Sequence, residues 1–260
     1  MNITLLTYDT IDSTNTEALK QARLGAEEGL CIVARQQTAG RGRHGRTWVS
    51  EKDAGLYFSI VLRPELDAQF LPLITLMTGV AVHDALAEIG IDSDIKWVND
   101  LLVNEKKICG ILAETTETNS GLAVVVGIGI NLRSTNFPPE IADNATSIEE
   151  ILLIPSAAAG NAPRYRGPEI KAELTERLTE FLSYFYNILN TENGPAEIIA
   201  DWRRRSSYFS GKRVRVALEN KVVTGITDGL EPNGAIRLKT DDGTVLVLQA
   251  GDVERLRQES

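Results

Sequence analysis

Residues 37–48, Gln-Thr-Ala-Gly-Arg-Gly-Arg-His-Gly-Arg-Thr-Trp, bring Arg41, Arg43 and Arg46 together with Gly40, Gly42 and Gly45 and contain no carboxylate. Glycine lets a backbone approach a ligand closely, and a guanidinium offers a planar fork of donors that fits a phosphate or a carboxylate. The stretch is suited to holding a small anion. It has no apolar periodicity and its cations repel one another, so it is expected to lack a fixed structure until an anion arrives, acting as a lid that orders on binding. The glycines also spell G-x-G-x-x-G, but context excludes a dinucleotide fold, whose fingerprint opens a helix and needs an acidic residue about 20 positions on. Here the strand-like run Leu56-Tyr57-Phe58-Ser59-Ile60-Val61-Leu62 follows, and Arg63-Pro64 stands where the acid belongs. Neither H-R-D nor D-F-G occurs downstream, which excludes a kinase glycine loop. A solvated basic surface loop stays open as the plain alternative.

Other clusters carry chemistry of their own. In Asp12-Ser13-Thr14-Asn15 the hydroxyls of Ser13 and Thr14 would serve as helix caps or as partners of a ligand lying at that helix N-terminus. Lys96-Trp97-Val98-Asn99-Asp100 gathers a cation, an amide and a carboxylate at one strand end. That set would position a metal-bound triphosphate with Asp100 on the magnesium, or close a polar hairpin corner. Lys107, ahead of Ile108-Cys109-Gly110-Ile111-Leu112, reads as a catalytic cation or as a solvated edge charge. Gly110 interrupts a strand, which suggests close approach of a ligand or of another backbone, and Gly127 and Gly129 near the end of 122–132 point to a crowded ligand pocket. With His44 and His83 the only histidines, a histidine-rich metal site is excluded.

Composition narrows the setting. At 260 residues and 43% hydrophobic content the chain can bury one substantial core and add a small second domain. Cys31 and Cys109 lie in apolar runs, as reduced core thiols do, which favours the cytoplasm. No charged and apolar leader opens the sequence and nowhere do 18 apolar residues run together, so neither export nor a membrane span is expected. A formal charge of −9 would repel a nucleic-acid backbone, making the arginine stretch a local exception aimed at a small anion.

These groups need a frame. Residues 3–7 predict a first strand, and Thr14 with Glu17 a capping box that opens a helix burying Ala18, Leu19 and Ala22. Strands at 30–34 and 56–62 lead into and out of the arginine stretch, and 71–89 is apolar almost all round, as a helix buried against a sheet. Residues 94–103 and 107–114 read as strand, turn and strand. Residues 133–167 read as a surface connection with a short helical patch at 147–153 and no chemistry. An amphipathic helix follows at 168–189, then a second at 195–204 ending in Arg203-Arg204-Arg205, read as a solvated cationic terminus. From Arg213 on, the chain alternates between turns at Asp228-Gly229, Asn233-Gly234 and Asp242-Gly243, which predicts a small all-β barrel of about five strands. The expected organisation is α+β, a mixed β-sheet with flanking helices over 1–205 and a small barrel over 206–260.

Asp12-Ser13-Thr14-Asn15, residues 37–48, Lys96-Trp-Val-Asn-Asp100, Lys107-Ile-Cys-Gly-Ile-Leu112 and Gly127-Ile-Gly-Ile-Asn131, taken in order, resemble the biotin protein ligases. The resemblance implies a biotin-lipoate ligase-like catalytic fold, related to class II aminoacyl-tRNA synthetases, and an SH3-like C-terminal barrel. It implies a magnesium-dependent reaction of biotin with ATP, and transfer of biotin from biotinyl-5′-AMP to a lysine of a biotin carboxyl carrier protein. Because the matching blocks begin at residue 12, it implies the short form of the family, without a DNA-binding domain. A homodimer is compatible with it and not required. Matched motif by motif, Ser13, Thr14, Asn15 and Gln37 fall to the ureido end of biotin with Gly40, Arg41 and Gly42 beside them. Gly110, Ile111, Leu112, Gly127 and Gly129 would line the ring and tail. Arg43 and Lys107 would meet the biotin carboxylate and α-phosphate, and Arg46, Trp48, Asn99 and Asn131 the nucleotide. Val98 stands where the family usually has proline and Cys109 where it often has alanine; valine is expected to relax the backbone before Asn99, which leaves the metal role of Asn99 and Asp100 open. A lipoate or octanoate ligase and a non-enzymatic regulator that binds biotinyl-AMP are the alternative readings.

Overall fold

In a computed structural model the described residues are 1–134, 137–153, 167–218, 221–249 and 251–255. The chain begins β1 (Thr4–Ile11), α1 (Thr14–Arg23), β2 (Leu30–Gln37), β3 (Gly55–Leu62), α2 (Leu73–Glu88), β4 (Asp94–Lys96), β5 (Asp100–Val103), β6 (Lys106–Thr118) and β7 (Gly121–Asn131). It continues α3 (Pro139–Ala142), α4 (Ile148–Leu153), α5 (Pro168–Leu189) and α6 (Gly194–Arg205), then β8 (Ser210–Ala217), β9 (Val222–Leu230), β10 (Ile236–Lys239), β11 (Val245–Leu248) and β12 (Asp252–Arg255). The first seven strands form one sheet in the order β1-β2-β3-β7-β6-β5-β4, and the last five a second in the order β11-β10-β9-β8-β12. Only β1 and β2 pair in parallel in the large sheet, because α1 carries the chain back between them.

Alternation along β3 and β7 decides which side of the sheet does what. Leu56, Phe58, Ile60 and Leu62, with Val124, Val126, Ile128 and Ile130, face a core built with α2, α5 and α6. The opposite positions of the same strands, Val61, Ala123 and Val125, pack on Ala18, Leu19 and Ala22 of α1. Further along that second face the residues become small or polar, Ser59 opposite Gly127 and Tyr57 opposite Gly129. The period-2 rule thus separates a continuous core from a recess at the end of α1.

Residues 68–88 are apolar enough to pass for a membrane span by composition, but most are buried in this core. The short helical patch of the 133–167 connection is α4; residues 135–136 and 154–166 of that connection lie outside the described residues. Two expectations need correction. The cap of α1 is Ser13, whose side chain accepts from the Thr16 N–H, and not Thr14, whose hydroxyl has other partners; Glu17 bonds Lys20 and Gln21 instead of closing a capping box. Of the three terminal arginines of α6, Arg205 is not solvated. It forks onto Asp84 at 2.6 and 2.8 Å, bonds Asp201 and lies over the Phe185 ring, tying α6 to α2 and α5. Cys31 and Cys109 are free and buried, and burial raises the Cys31 thiol to about 12, so both stay protonated.

Candidate active site

At the recess, Ser59 Oγ lies 2.6 Å from Asn15 Oδ1 and 2.8 Å from Thr14 Oγ1. An amide oxygen only accepts, so the Ser59 hydrogen serves Asn15. The Asn15 amide then donates to Leu112 O at 3.2 Å and Glu114 Oε2 at 3.0 Å, and Glu114 Oε1 takes Arg41 at 2.6 Å. On the other branch Gln37 Oε1 accepts from the Thr14 backbone N–H at 2.8 Å and faces its hydroxyl at 3.1 Å, while its amide donates to Ser50, which donates to Trp48 O. One hydrogen-bonded chain therefore runs from Glu114 through Asn15, Ser59, Thr14, Gln37 and Ser50 to the arginine stretch. Its members are mostly buried, so each broken link would leave a group unpaired at a cost of about 1–3 kcal/mol.

The arginine stretch is folded onto this chain. Arg41 bridges to Thr47, Gly42 N–H donates to Arg46 O at 2.7 Å and Trp48 N–H to Gly40 O at 3.0 Å. The expectation of unopposed cations fails because the opposing carboxylates arrive from elsewhere: Glu114 takes Arg41, and Asp252 of β12 takes Arg46 and lies 3.7 Å from Arg43. Arg43 also donates to Asn99 Oδ1 at 2.8 Å. Burial pulls the Arg43 guanidinium below the usual arginine range against the opposing pull of Asp252 and Asp100.

The glycines read as ligand crowding are crowded by the chain itself. A Cβ on Gly127 would run into the Asn15 amide, and one on Gly129 into the Trp48 indole; at Gly110 it would lie 2.9 Å from that indole and 3.0 Å from Lys107 Cε. Trp48 thus rests over β6 and β7, with its Nε1 buried and unpaired among the described residues and with Lys107 Nζ 5.4 Å from its ring.

Two cavities meet there. A cleft of about 40 Å³ is lined by Ser13, Thr14, Asn15, Gln37, Arg41 and the strand residues Gly110 to Leu112 and Gly127 to Gly129. A wide cavity of about 700 Å³ holds Arg43, Arg46, Lys96, Asp100, Lys107 and Asn131. Trp48 and Asn99 line both. Asn99 is fixed to β6 twice, its side-chain amide donating to Ile111 O at 3.0 Å and its backbone carbonyl accepting from Ile111 N–H at 2.9 Å; the Trp97–Val98 peptide before it is cis. Sequence reasoning missed Ser59, Glu114, Ser50 and Asp252, and it missed that the 133–167 connection reaches the wide cavity. Phe137, Ile141, Asn144 and Ala145 wall the wide cavity, Asn144 O accepts from Lys107 N–H at 2.7 Å, and Asn131 donates to Thr146 O.

Asp100 does not fit a metal. Lys107 lies 2.6 Å and Lys96 3.1 Å from its two oxygens, and although burial opposes ionisation, these cations outweigh it and hold the carboxyl below the usual range. Magnesium at a nucleotide site is held through one or two carboxylates together with phosphate oxygens, and both oxygens of Asp100 are already taken by lysine ammonium groups.

The model of the Biotin/lipoate A/B protein ligase family matches residues 7–131, and that of the Biotin protein ligase C terminal domain residues 209–256. The bifunctional ligase/repressor BirA of Bacillus subtilis is 33% identical over 96% of this chain and 73% of its own length. The biotin–[acetyl-CoA-carboxylase] ligase of Mycobacterium tuberculosis is 33% identical over 94% of this chain and 86% of its own. The chain belongs to the biotin protein ligase family. The biotin protein ligase of Aquifex aeolicus, solved in complex with biotin and ATP, superposes with a TM-score of 0.76 at 30% identity, over 97% of this chain and 99% of that one.

Proposed function

We propose that the cleft takes biotin, the wide cavity takes ATP, and Lys107 and Arg43 at their junction join the two. The observation that carries this is the meeting of the cavities at Trp48 and Asn99 beside two cations. With the Ser59 hydrogen spent on Asn15 and the Thr14 hydrogen on Gln37 or Ser59, Thr14 Oγ is left as an acceptor; the Ser13 hydroxyl and one Gln37 amide hydrogen remain as donors. A urea offers N–H groups and a carbonyl that match this inventory. A lipoyl or octanoyl chain would leave those groups desolvated and unpaired, at about 1–3 kcal/mol each. Asn15, with its amide fully engaged, orients Thr14 through Ser59 and walls the cleft without a hydrogen bond of its own to offer the ligand.

The biotin carboxylate oxygen then attacks the α-phosphorus and pyrophosphate leaves; a carrier-protein lysine amine next attacks the acyl carbon and AMP leaves. Both nucleophiles are substrates, so the protein supplies positioning and positive charge. Lys107 and Arg43 relieve the repulsion between carboxylate and phosphate, while Arg46 and Asn131 hold the nucleotide. Magnesium finds no ready cage at Asp100, and no step is assigned to it. DNA is not a ligand in this reading, as the charge of −9 opposes it. Incubation of a biotin carboxyl carrier domain with the protein, biotin and magnesium-ATP should add one biotin to one lysine by mass spectrometry. An unmodified carrier, or preferential attachment of octanoate or lipoate, would overturn the reading.

At about 40 Å³ the cleft holds two or three waters and not a bicyclic ring. In this reading Trp48, which covers Gly110 and Gly129, leaves its seat when biotin enters. Trp97 and Trp202 are both buried in the core, so a change in tryptophan emission on adding biotin should come from Trp48. The change is expected in the wild type and absent in Trp48→Phe; an equal change in both would mean that the indole stays where it is.

A further inference from the structure

Asp252 belongs to the C-terminal sheet, yet it ion-pairs with both Arg43 and Arg46 across the mouth of the wide cavity. Strand pairing sets it there: β12 runs antiparallel to β8 with Asp252 opposite Ala217, and Gly251 just before it passes close against Val216, where a Cβ would lie 2.7 Å from that side chain. Other carboxylates near the arginine stretch are engaged elsewhere, Glu114 with Arg41 and Asp100 with Lys96 and Lys107. The two guanidinium groups that line the cavity are thus held by an anion from a different sheet.

We propose that Asp252 is a positioning residue that acts as an internal anion, holding Arg43 and Arg46 while no phosphate is present and yielding them to the phosphate oxygens of the nucleotide. This rests on the reading that the wide cavity takes ATP. The strength of the contact suits a placeholder. The Arg46 side chain is 67% exposed and the Asp252 side chain 24%, so their pairing shifts an equilibrium by only about fivefold at most. A triphosphate presents several charges and bidentate acceptors to the same two forks and outcompetes a single partly exposed carboxylate. The C-terminal sheet would in this way keep the arginine stretch folded over the cavity before the substrate arrives, and Asp252 and the nucleotide would compete for the same groups.

Limited trypsin digestion of the full chain tests this, with Asp252→Asn against wild type and cleavage after the exposed Arg203 and Arg204 as the reference. Without ligand, Asp252→Asn should be cut after Arg43 and Arg46 about three- to fivefold faster, and Asp252→Glu at the wild-type rate. ATP alone, followed by calorimetry, should bind Asp252→Asn about two- to fivefold more tightly, because the competing anion is gone. With saturating ATP the two proteins should be equally protected. Equal cleavage without ligand, or weaker ATP binding by Asp252→Asn, would overturn the proposal; a purely structural residue would lower the melting temperature without tightening ATP. Should Asp252→Asn fail to fold, the wild type is digested from about 0.05 to 0.5 M salt, where screening of the pair should raise cleavage after Arg43 and Arg46 over the reference sites. No rise would count against the proposal. If the cavity does not take ATP at all, neither protein binds it, while the difference in ligand-free cleavage persists, so the two failures are told apart.

Discussion

Replacing Lys107 by alanine is expected to slow formation of the adenylate by about 10²-fold or more, the usual scale for removing one donor aimed at developing charge. The ammonium stands at the junction of the two cavities, close to Gly110 and over the Trp48 ring, while the hydroxyls and amides of the cleft lie on other elements. Biotin affinity should therefore fall far less than the rate. Stability will not be untouched, because Lys107 is one of two cations on Asp100, and removing it leaves a poorly solvated carboxylate with Lys96 alone. A loss of about 1–2 kcal/mol is expected, with most of it restored in Asp100→Asn/Lys107→Ala and no activity restored with it. Lys106 does not line the cavity, so Lys106→Ala is the neighbouring control. Pyrophosphate release in a single turnover decides the matter: equal losses for the two lysines, or none for Lys107, would remove the catalytic role.

That experiment separates what the sequence makes legible from what it hides. Lys107 and Arg43 stand out by residue type within short motifs, and the alternation of 56–62 and 122–132 gives the strands that carry the glycines. Partners across the fold are not legible in this way. Glu114 is 73 residues from Arg41 and Asp252 is 206 from Arg46, distances over which only the packed register of two sheets brings charges together. Taken alone the arginine stretch therefore looks unsupported, and the carboxylates that oppose its cations could not be foreseen. Ser13 and Thr14 show a subtler limit. Either hydroxyl fits a helix cap by pattern, and the choice falls on Ser13 because Thr14 is drawn to Gln37 and Ser59, both contributed by neighbouring strands. Ser59 did leave a signal, a hydroxyl inside a run that is otherwise apolar or aromatic, but its meaning depends on the residue across the ladder being glycine.

Gly127→Ala should be the most damaging single methyl group that can be added to the pocket. The new Cβ would fall on the Asn15 amide, and that side chain cannot step aside: Ser59 holds its oxygen, and Leu112 and Glu114 hold its nitrogen. Relief requires either breaking the buried chain that orients Thr14 or moving α1 away from β7. Overpacking on this scale costs about 2–3 kcal/mol, and the displaced Thr14 should weaken biotin binding by about 10²-fold. Gly129→Ala meets a different neighbour. The obstacle there is the Trp48 indole, which has to move when biotin enters, so the expected result is a small change in stability and a ligand-free emission spectrum shifted toward that of the biotin-bound wild type. Urea denaturation of Gly127→Ala, Asn15→Ala and Asn15→Ala/Gly127→Ala makes the first prediction quantitative. If the collision with Asn15 is the cause, the double variant should be more stable than the sum of the single losses predicts by about 1–2 kcal/mol, because the methyl then fills space the amide has vacated. Strict additivity, or a Gly127→Ala protein as stable as the wild type, would mean that Asn15 is not the fixed wall against which the biotin cleft is built.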